Sequence, residues 1–188
     1  MRVGILGGTF DPIHVGHLIA GSEVHTALNL DTVVFMPAGH PWQKDEHKIS
    51  SAQHRFEMVN RAVADDERFT VSDLEIQRSG PTYAIDTVEK WQKDNPNHEI
   101  FWIVGADALL GMTTWHRWEE FLDLVKVVSV NRPGLDPTEV PFDFLSVQMP
   151  EVRISATQLR KRFGQGVGCK YLVPDPVIDY ILEENLYN

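Results

Sequence analysis

One cysteine, Cys169, is all the thiol chemistry this 188-residue sequence holds. A lone cysteine cannot close an intrachain disulfide, and a paired-cysteine metal site is excluded with it. No stretch approaches the ~20 apolar residues that a membrane-spanning helix needs. The opening run Met1-Arg2-Val3-Gly4-Ile5-Leu6 turns at Gly7-Gly8, too soon for the apolar region of a secretory signal. These absences predict a cytoplasmic protein with no membrane partner. Positive charge is also scarce: 17 Lys and Arg stand against 27 Asp and Glu, a formal net charge of −10. Neutralising a nucleic-acid backbone takes a basic surface, so nucleic acid is not an expected partner. Repeats and low-complexity tracts are missing, while 43% hydrophobic and 23% charged residues make an ordinary folded composition. The length suits a single domain with a sizeable core.

What is present is alternation. Short runs rich in Val, Ile and Phe at residues 3–6, 32–36, 69–74, 100–104 and 125–130 read as strands, with a sixth at 144–148. Amphipathic stretches at 15–28, 51–64, 83–93, 115–122 and 155–163 read as helices, and Asp175-Pro176 opens a last one with Asp175 as cap. Ser50 with Gln53, and Ser155 with Gln158, have capping-box spacing. Such alternation predicts an α/β fold: one doubly wound parallel sheet covered by helices on both faces. Ligands of such sheets sit beyond the carboxyl ends of the strands, so the loops after strands carry the functional weight.

The first of these loops runs Gly7-Gly8-Thr9-Phe10-Asp11-Pro12-Ile13-His14-Val15-Gly16-His17. It is neither the Gly-x-Gly-x-x-Gly dinucleotide fingerprint nor a P-loop, since no Gly-Lys-Ser/Thr follows. His14 and His17 are three residues apart and share one face of a helix start. A helix N-terminus favours anions through its free N–H groups and its dipole, and two imidazoles add side-chain donors. Gly16 is read as leaving room for a ligand close to the backbone. Zinc is disfavoured, because it takes three or four protein ligands and neither His-Glu-x-x-His nor a cysteine pair is present. Arg153, Arg160, Lys161 and Arg162 concentrate positive charge late in the chain, as a solvated helix face or a second anion site.

The whole loop resembles the signature of the HxGH nucleotidyltransferase superfamily, and the resemblance runs along nearly the whole chain toward its bacterial nicotinate-nucleotide adenylyltransferases. Gly105-Ala106-Asp107 resembles that family's Gly-x-Asp segment, and Ile154-Ser155-Ala156-Thr157 with Arg160 resembles its Ile-Ser-Ser-Thr-x-x-Arg segment. Asn131-Arg132-Pro133-Gly134 is similar to its Arg-Pro-Gly turn. Pro81-Thr82-Tyr83-Ala84, Thr114-Trp115-His116 and Pro41-Trp42-Gln43-Lys44 fall where the family meets its acceptor. Two positions depart from the pattern: Ala156 replaces a serine and Ala84 a threonine, so a side-chain hydroxyl is lost at each.

The resemblance implies a Rossmann-like fold and transfer of AMP from ATP to nicotinate mononucleotide, releasing pyrophosphate. It assigns catalysis to His14 and His17. ATP would meet Gly7, Gly8, Thr9, Phe10, Gly105, Asp107, Arg132, Ser155, Thr157 and Arg160. The acceptor would meet Lys44, Thr82, Tyr83, Ala84, Trp115 and His116, with Trp115 stacked on the base. Mg²⁺ is implied as cofactor, bound mainly through the ATP phosphates and not by a dedicated protein cage. Homo-oligomerisation stays open. So do two other readings: a phosphopantetheine adenylyltransferase of the same superfamily, and a nucleotide sensor without catalysis.

Overall fold

The computed structural model describes residues 1–40, 49–78, 80–131 and 140–188, leaving aside the side chain of Asn131. Every apolar run read as a strand forms one: β1 (Arg2–Gly8), β2 (Thr32–Pro37), β3 (Phe69–Val71), β4 (Glu99–Gly105), β5 (Lys126–Asn131) and β6 (Leu145–Gln148). They build one six-stranded sheet in the order β3-β2-β1-β4-β5-β6, with all pairings parallel. Parallel strands need crossovers. From β1 to β5 helices supply them: α1 (Val15–Leu28), α2 (Ala52–Val63), α3 (Ala84–Asp94), then α4 (Ala106–Leu110) with α5 (Trp118–Leu124); α6 (Ala156–Gly164) and α7 (Asp175–Glu183) follow β6.

Period-two alternation divides the sheet's side chains between two cores. Leu6, Phe35, Phe101, Ile103 and Val128 pack with Val24 of α1, Met58 and Val59 of α2, Leu159 of α6 and Ile181 of α7. Val3, Ile5, Val34, Met36 and Trp102 face the other way, onto Ile85 and Val88 of α3, Leu109 of α4 and Phe121 of α5. The sheet is therefore covered on both faces, and its order reverses between β1 and β4. In a doubly wound sheet that reversal opens a crevice at the carboxyl ends of the two central strands. Gly8 ends β1 and Gly105 ends β4, so both glycine-bearing loops sit at this crevice.

Several boundaries differ from expectation. The cap of α2 is Ser51, whose hydroxyl accepts from the His54 N–H; the Ser50–Gln53 capping box does not form. The expected helix at 115–122 is broken: a 3₁₀ turn at Met112–Thr114 is followed by extended Trp115, and α5 starts only after Arg117, whose φ is +52°. The short helix α4 was not expected at all. β3 stops at Val71, and α7 is capped by Pro174, one residue before the expected Asp175.

Candidate active site

His14 is the N-cap of α1, and its backbone N–H donates to Nδ1 of His17 at 3.2 Å. This is the reciprocal arm of a capping box, built here from an imidazole instead of a carboxylate. Because His17 Nδ1 accepts, a neutral His17 ring carries its proton on Nε2 and keeps a donor there. The two rings stack with centroids 3.7 Å apart and 23° between planes. Phe10, buried at a φ of +50°, presses its ring edge-on to His17 at 5.0 Å. The side chain of Phe10 thus serves the histidine, and only its backbone is available to a nucleotide.

Gly16 also differs from expectation. A Cβ at residue 16 would lie 3.1 Å from Nδ1 of His14. The space it provides belongs to the His14 ring, which is only 8% exposed, and not to a ligand. Gly7 is exposed, Gly8 and Thr9 are half-buried, and His17 is half-buried.

A second helix, α6, reaches the same loop through Arg160. Ser155 caps α6 by accepting from the Gln158 N–H at 3.3 Å. Ser155 and Thr157 are exposed. Arg160, one turn along, donates through Nη1 to the carbonyl of Asp11 at 2.8 Å, and Nη2 lies 3.4 Å from the Thr157 hydroxyl. One helix N-terminus, two imidazoles and the guanidinium of Arg160 from α6 thus gather at the carboxyl end of β1. Free N–H groups, a helix dipole and a cation together favour a polyanion. At the end of β4, Gly105 and Asp107 are exposed, with Gly105 capping α4 and Asp107 in its first turn.

The expected acceptor segments also come together. Tyr83 caps α3, so the first N–H groups of that helix, at and after Ala84, lack intrahelical partners. Its ring lies 4.6 Å from that of His116. Trp115 is half-buried, with its ring 5.7 Å from Phe121. The Thr82 hydroxyl accepts from the backbone N–H of His40, which ties this pocket to the loop after β2. Lys44 and Arg132, the remaining expected contacts, lie outside the described residues.

The cytidylyltransferase-like family matches residues 5–162. A protein of Mycolicibacterium vanbaalenii named "probable nicotinate-nucleotide adenylyltransferase" is 42% identical, over 99% of this chain and 92% of its own. One of the same name from Corynebacterium glutamicum is 46% identical, over 99% of this chain and 88% of its own. The chain belongs to the nicotinate-nucleotide adenylyltransferase family, within the cytidylyltransferase-like group. Among solved structures, Plasmodium falciparum nicotinic acid mononucleotide adenylyltransferase complexed with NaAD superposes with a TM-score of 0.83 over 99% of this chain and 97% of that one. At 20% identity, that likeness shows the shared fold. As a family member the chain carries a Rossmann-like nucleotidyltransferase fold.

Beneath the His14–His17 loop lie buried polar residues that no motif marks. Arg55 is 1% exposed, and its guanidinium donates to three carbonyls: Thr9 at 2.9 Å, Gly39 at 3.1 Å and Ser50 at 3.1 Å. These belong to the loop after β1, the loop after β2 and the entry to α2. Burial pulls the Arg55 guanidinium below its ordinary range, and the facing Asp11, Tyr187 and Glu75 oppose that. The signal was an arginine on the apolar face of α2, in register with Met58 and Val59. Gly39 packs so tightly that a Cβ there would lie 2.2 Å from the carbonyl oxygen of Glu75. The buried Glu75 carboxyl accepts from the Thr87 hydroxyl at 2.9 Å, and burial raises its pKa to about 7 despite that bond and the nearby Arg78 and Arg55. Asp11, named in the first loop but given no role, is 1% exposed and receives the Ser50 N–H and the Tyr187 hydroxyl.

Proposed function

We propose that the protein transfers AMP from ATP to nicotinate mononucleotide, giving nicotinate adenine dinucleotide and pyrophosphate. The observation that carries this reading is the stacked His14–His17 pair at the start of α1, with Arg160 of α6 docked on the same loop. A phosphate oxygen of the acceptor attacks the α-phosphorus of ATP. The new P–O bond forms as the bond to the β-phosphate oxygen breaks, and pyrophosphate leaves with the electron pair. The acceptor phosphate is already an anion near neutral pH, so no side chain has to deprotonate it. Catalysis rests on alignment and on donors aimed at developing charge. His17, with its donor on Nε2, meets the transferring phosphate, and His14 and the backbone N–H groups of the loop lie beside it. Ser155, Thr157 and Arg160 hold the departing end, and Arg132 falls in the same proposal. Gly105 and Asp107 border the nucleotide at the end of β4.

The acceptor base lies between Trp115 and the start of α3. Backbone donors there, with Thr82, Tyr83, Ala84 and His116, suit a carboxylate substituent, and Lys44 is proposed for its phosphate. Among the described residues no three His, Cys, Asp or Glu side chains gather as a metal-binding group. Magnesium would enter as part of the substrate MgATP, where it would offset phosphate charge. Among the described residues no helix is long and apolar enough to cross a membrane. The cytoplasm, where ATP is abundant, is the compartment that the reaction calls for. The test is pyrophosphate release with MgATP and each of three additions: nicotinate mononucleotide, phosphopantetheine, or no acceptor. Release only with the first is expected; release with phosphopantetheine alone, or with none, overturns the reading.

A further inference from the structure

The Asp11 carboxylate sits in the active-site loop, three residues before His14, and almost no water reaches it. A buried carboxylate persists only when its oxygens are given donors. Oδ2 takes the Ser50 N–H at 3.3 Å and lies 3.8 Å from Nη1 of Arg160. Oδ1 takes the hydroxyl of Tyr187 at 2.7 Å, across 176 residues of sequence. Tyr187 follows α7 at a φ of +69°. Its ring packs against Phe163 of α6 with centroids 5.9 Å apart, and its hydroxyl also lies 3.7 Å from Sδ of Met58 on α2. One tyrosine thus touches the phosphate-facing loop, the helix that carries Arg160, and the helix that carries Arg55. Burial, with the facing Asp11 carboxylate, drives the Tyr187 phenol upward, so it stays protonated and donates.

Arg160 reaches the loop at Asp11: its guanidinium bonds the Asp11 carbonyl and lies 3.8 Å from the Asp11 carboxylate. If that carboxylate swings, the guanidinium keeps its bond to the Asp11 carbonyl but loses the facing negative charge 3.8 Å away. We propose that Tyr187 is a positioning residue for nucleotide binding: its hydroxyl clamps the Asp11 carboxylate, and Asp11 in turn sets Arg160 toward the phosphates of ATP. This rests on the reading above in which Arg160 meets those phosphates. No role for Tyr187 in chemistry is implied, because its hydroxyl proton is given to Asp11.

Tyr187→Phe tests this, since it removes only the hydroxyl and keeps the ring on Phe163. The expected result is a KM for MgATP raised about 10-fold, the scale of one hydrogen bond to a charged group, with the KM for the acceptor changed less than about 2-fold. Asp11→Asn weakens the acceptor of the same bond and should shift the balance the same way, which keeps the proposal testable should Tyr187→Phe fold poorly. Each change is then repeated in an Arg160→Ala background. If Tyr187 acts through Arg160, Tyr187→Phe adds almost nothing there, because the two share one path. A merely structural tyrosine would lower the melting temperature, raise both KM values together and add fully in the second background; that pattern overturns the proposal. An unchanged KM for MgATP in folded Tyr187→Phe overturns it as well. If Arg160→Ala alone leaves the KM for MgATP unchanged, Arg160 does not hold ATP, and the proposal falls with that reading.

Discussion

Replacing Arg55 by methionine should damage stability and both substrate sites at once. The side chain keeps an apolar stem as far as the position of Nε, but the guanidinium is gone and three carbonyls lose their donor: Thr9, Gly39 and Ser50. An unsatisfied buried polar group costs ~1–3 kcal/mol. The three costs are not additive, because loops freed from one anchor relax together. Asp11 and Glu75 also lose a facing positive charge. Breaking a buried charge cluster by removing one partner costs about 3–5 kcal/mol, and that is the expected loss in a urea titration at neutral pH. A domain of this size has roughly 5–15 kcal/mol of stability, so the variant should still fold at low temperature. Steady-state rates measured there should show kcat/KM reduced at least about 10-fold for both substrates, since the tethered loops flank both. Arg55→Lys should recover only part of the loss, because an ammonium cannot fork to three acceptors in one plane. A destabilisation under about 1 kcal/mol, or a defect confined to one substrate, would refute the role assigned to this arginine.

Other outcomes follow from the same geometry. His17→Ala should lower kcat by roughly 10²–10³-fold, the scale of one preorganised donor; a small loss of stability should accompany it, since the ring packs on His14 and Phe10. Normal turnover in the folded variant would remove His17 from the mechanism. Nicotinate mononucleotide should be preferred over its amide by about 10²–10⁴-fold in kcat/KM, because amide donors would face the protein's own. Trp115→Ala should weaken both acceptors without reversing their order; a ratio near one in the parent protein would defeat the donor-pocket argument. Glu75 titrates near 7 in the fold against an ordinary 4.5, so the folded state holds an extra proton between those values and stability falls as pH rises through that window. Comparing stabilities from urea titrations at pH 5 and pH 8, Glu75→Gln should flatten that decline by about 2–3 kcal/mol; an unchanged slope would mean that the buried carboxyl is not its source.

The elements that face the crevice were legible because their signals are local. A Val-Ile-Leu strand ending in paired glycine and leading to His14 and His17 announces a helix start beyond a parallel strand. Ser155 announces its own cap. What the sequence hid is held by contacts between distant segments. Two adjacent serines offered a cap for α2, and Ser50 was the wrong choice because its N–H is taken by Asp11 and its carbonyl by Arg55. The helix expected at 115–122 fails because Arg117 adopts a left-handed φ and bridges Glu89 and Glu120. Nothing near residue 187 points to residue 11. The space that Gly16 leaves is filled by the His14 ring, and the Phe10 side chain packs on His17, contacts that no local pattern announces.

The central claim is that the bond broken lies between the α- and β-phosphates of ATP, with the α-phosphate passing to the acceptor. ATP radiolabelled at the α-phosphorus, incubated with magnesium, the protein and nicotinate mononucleotide, separates the possibilities in one chromatogram. The predicted result is label in nicotinate adenine dinucleotide and unlabelled pyrophosphate in equal amount, abolished when the acceptor is omitted. Label that stays in ADP, or that appears in AMP whether or not the acceptor is present, would contradict it.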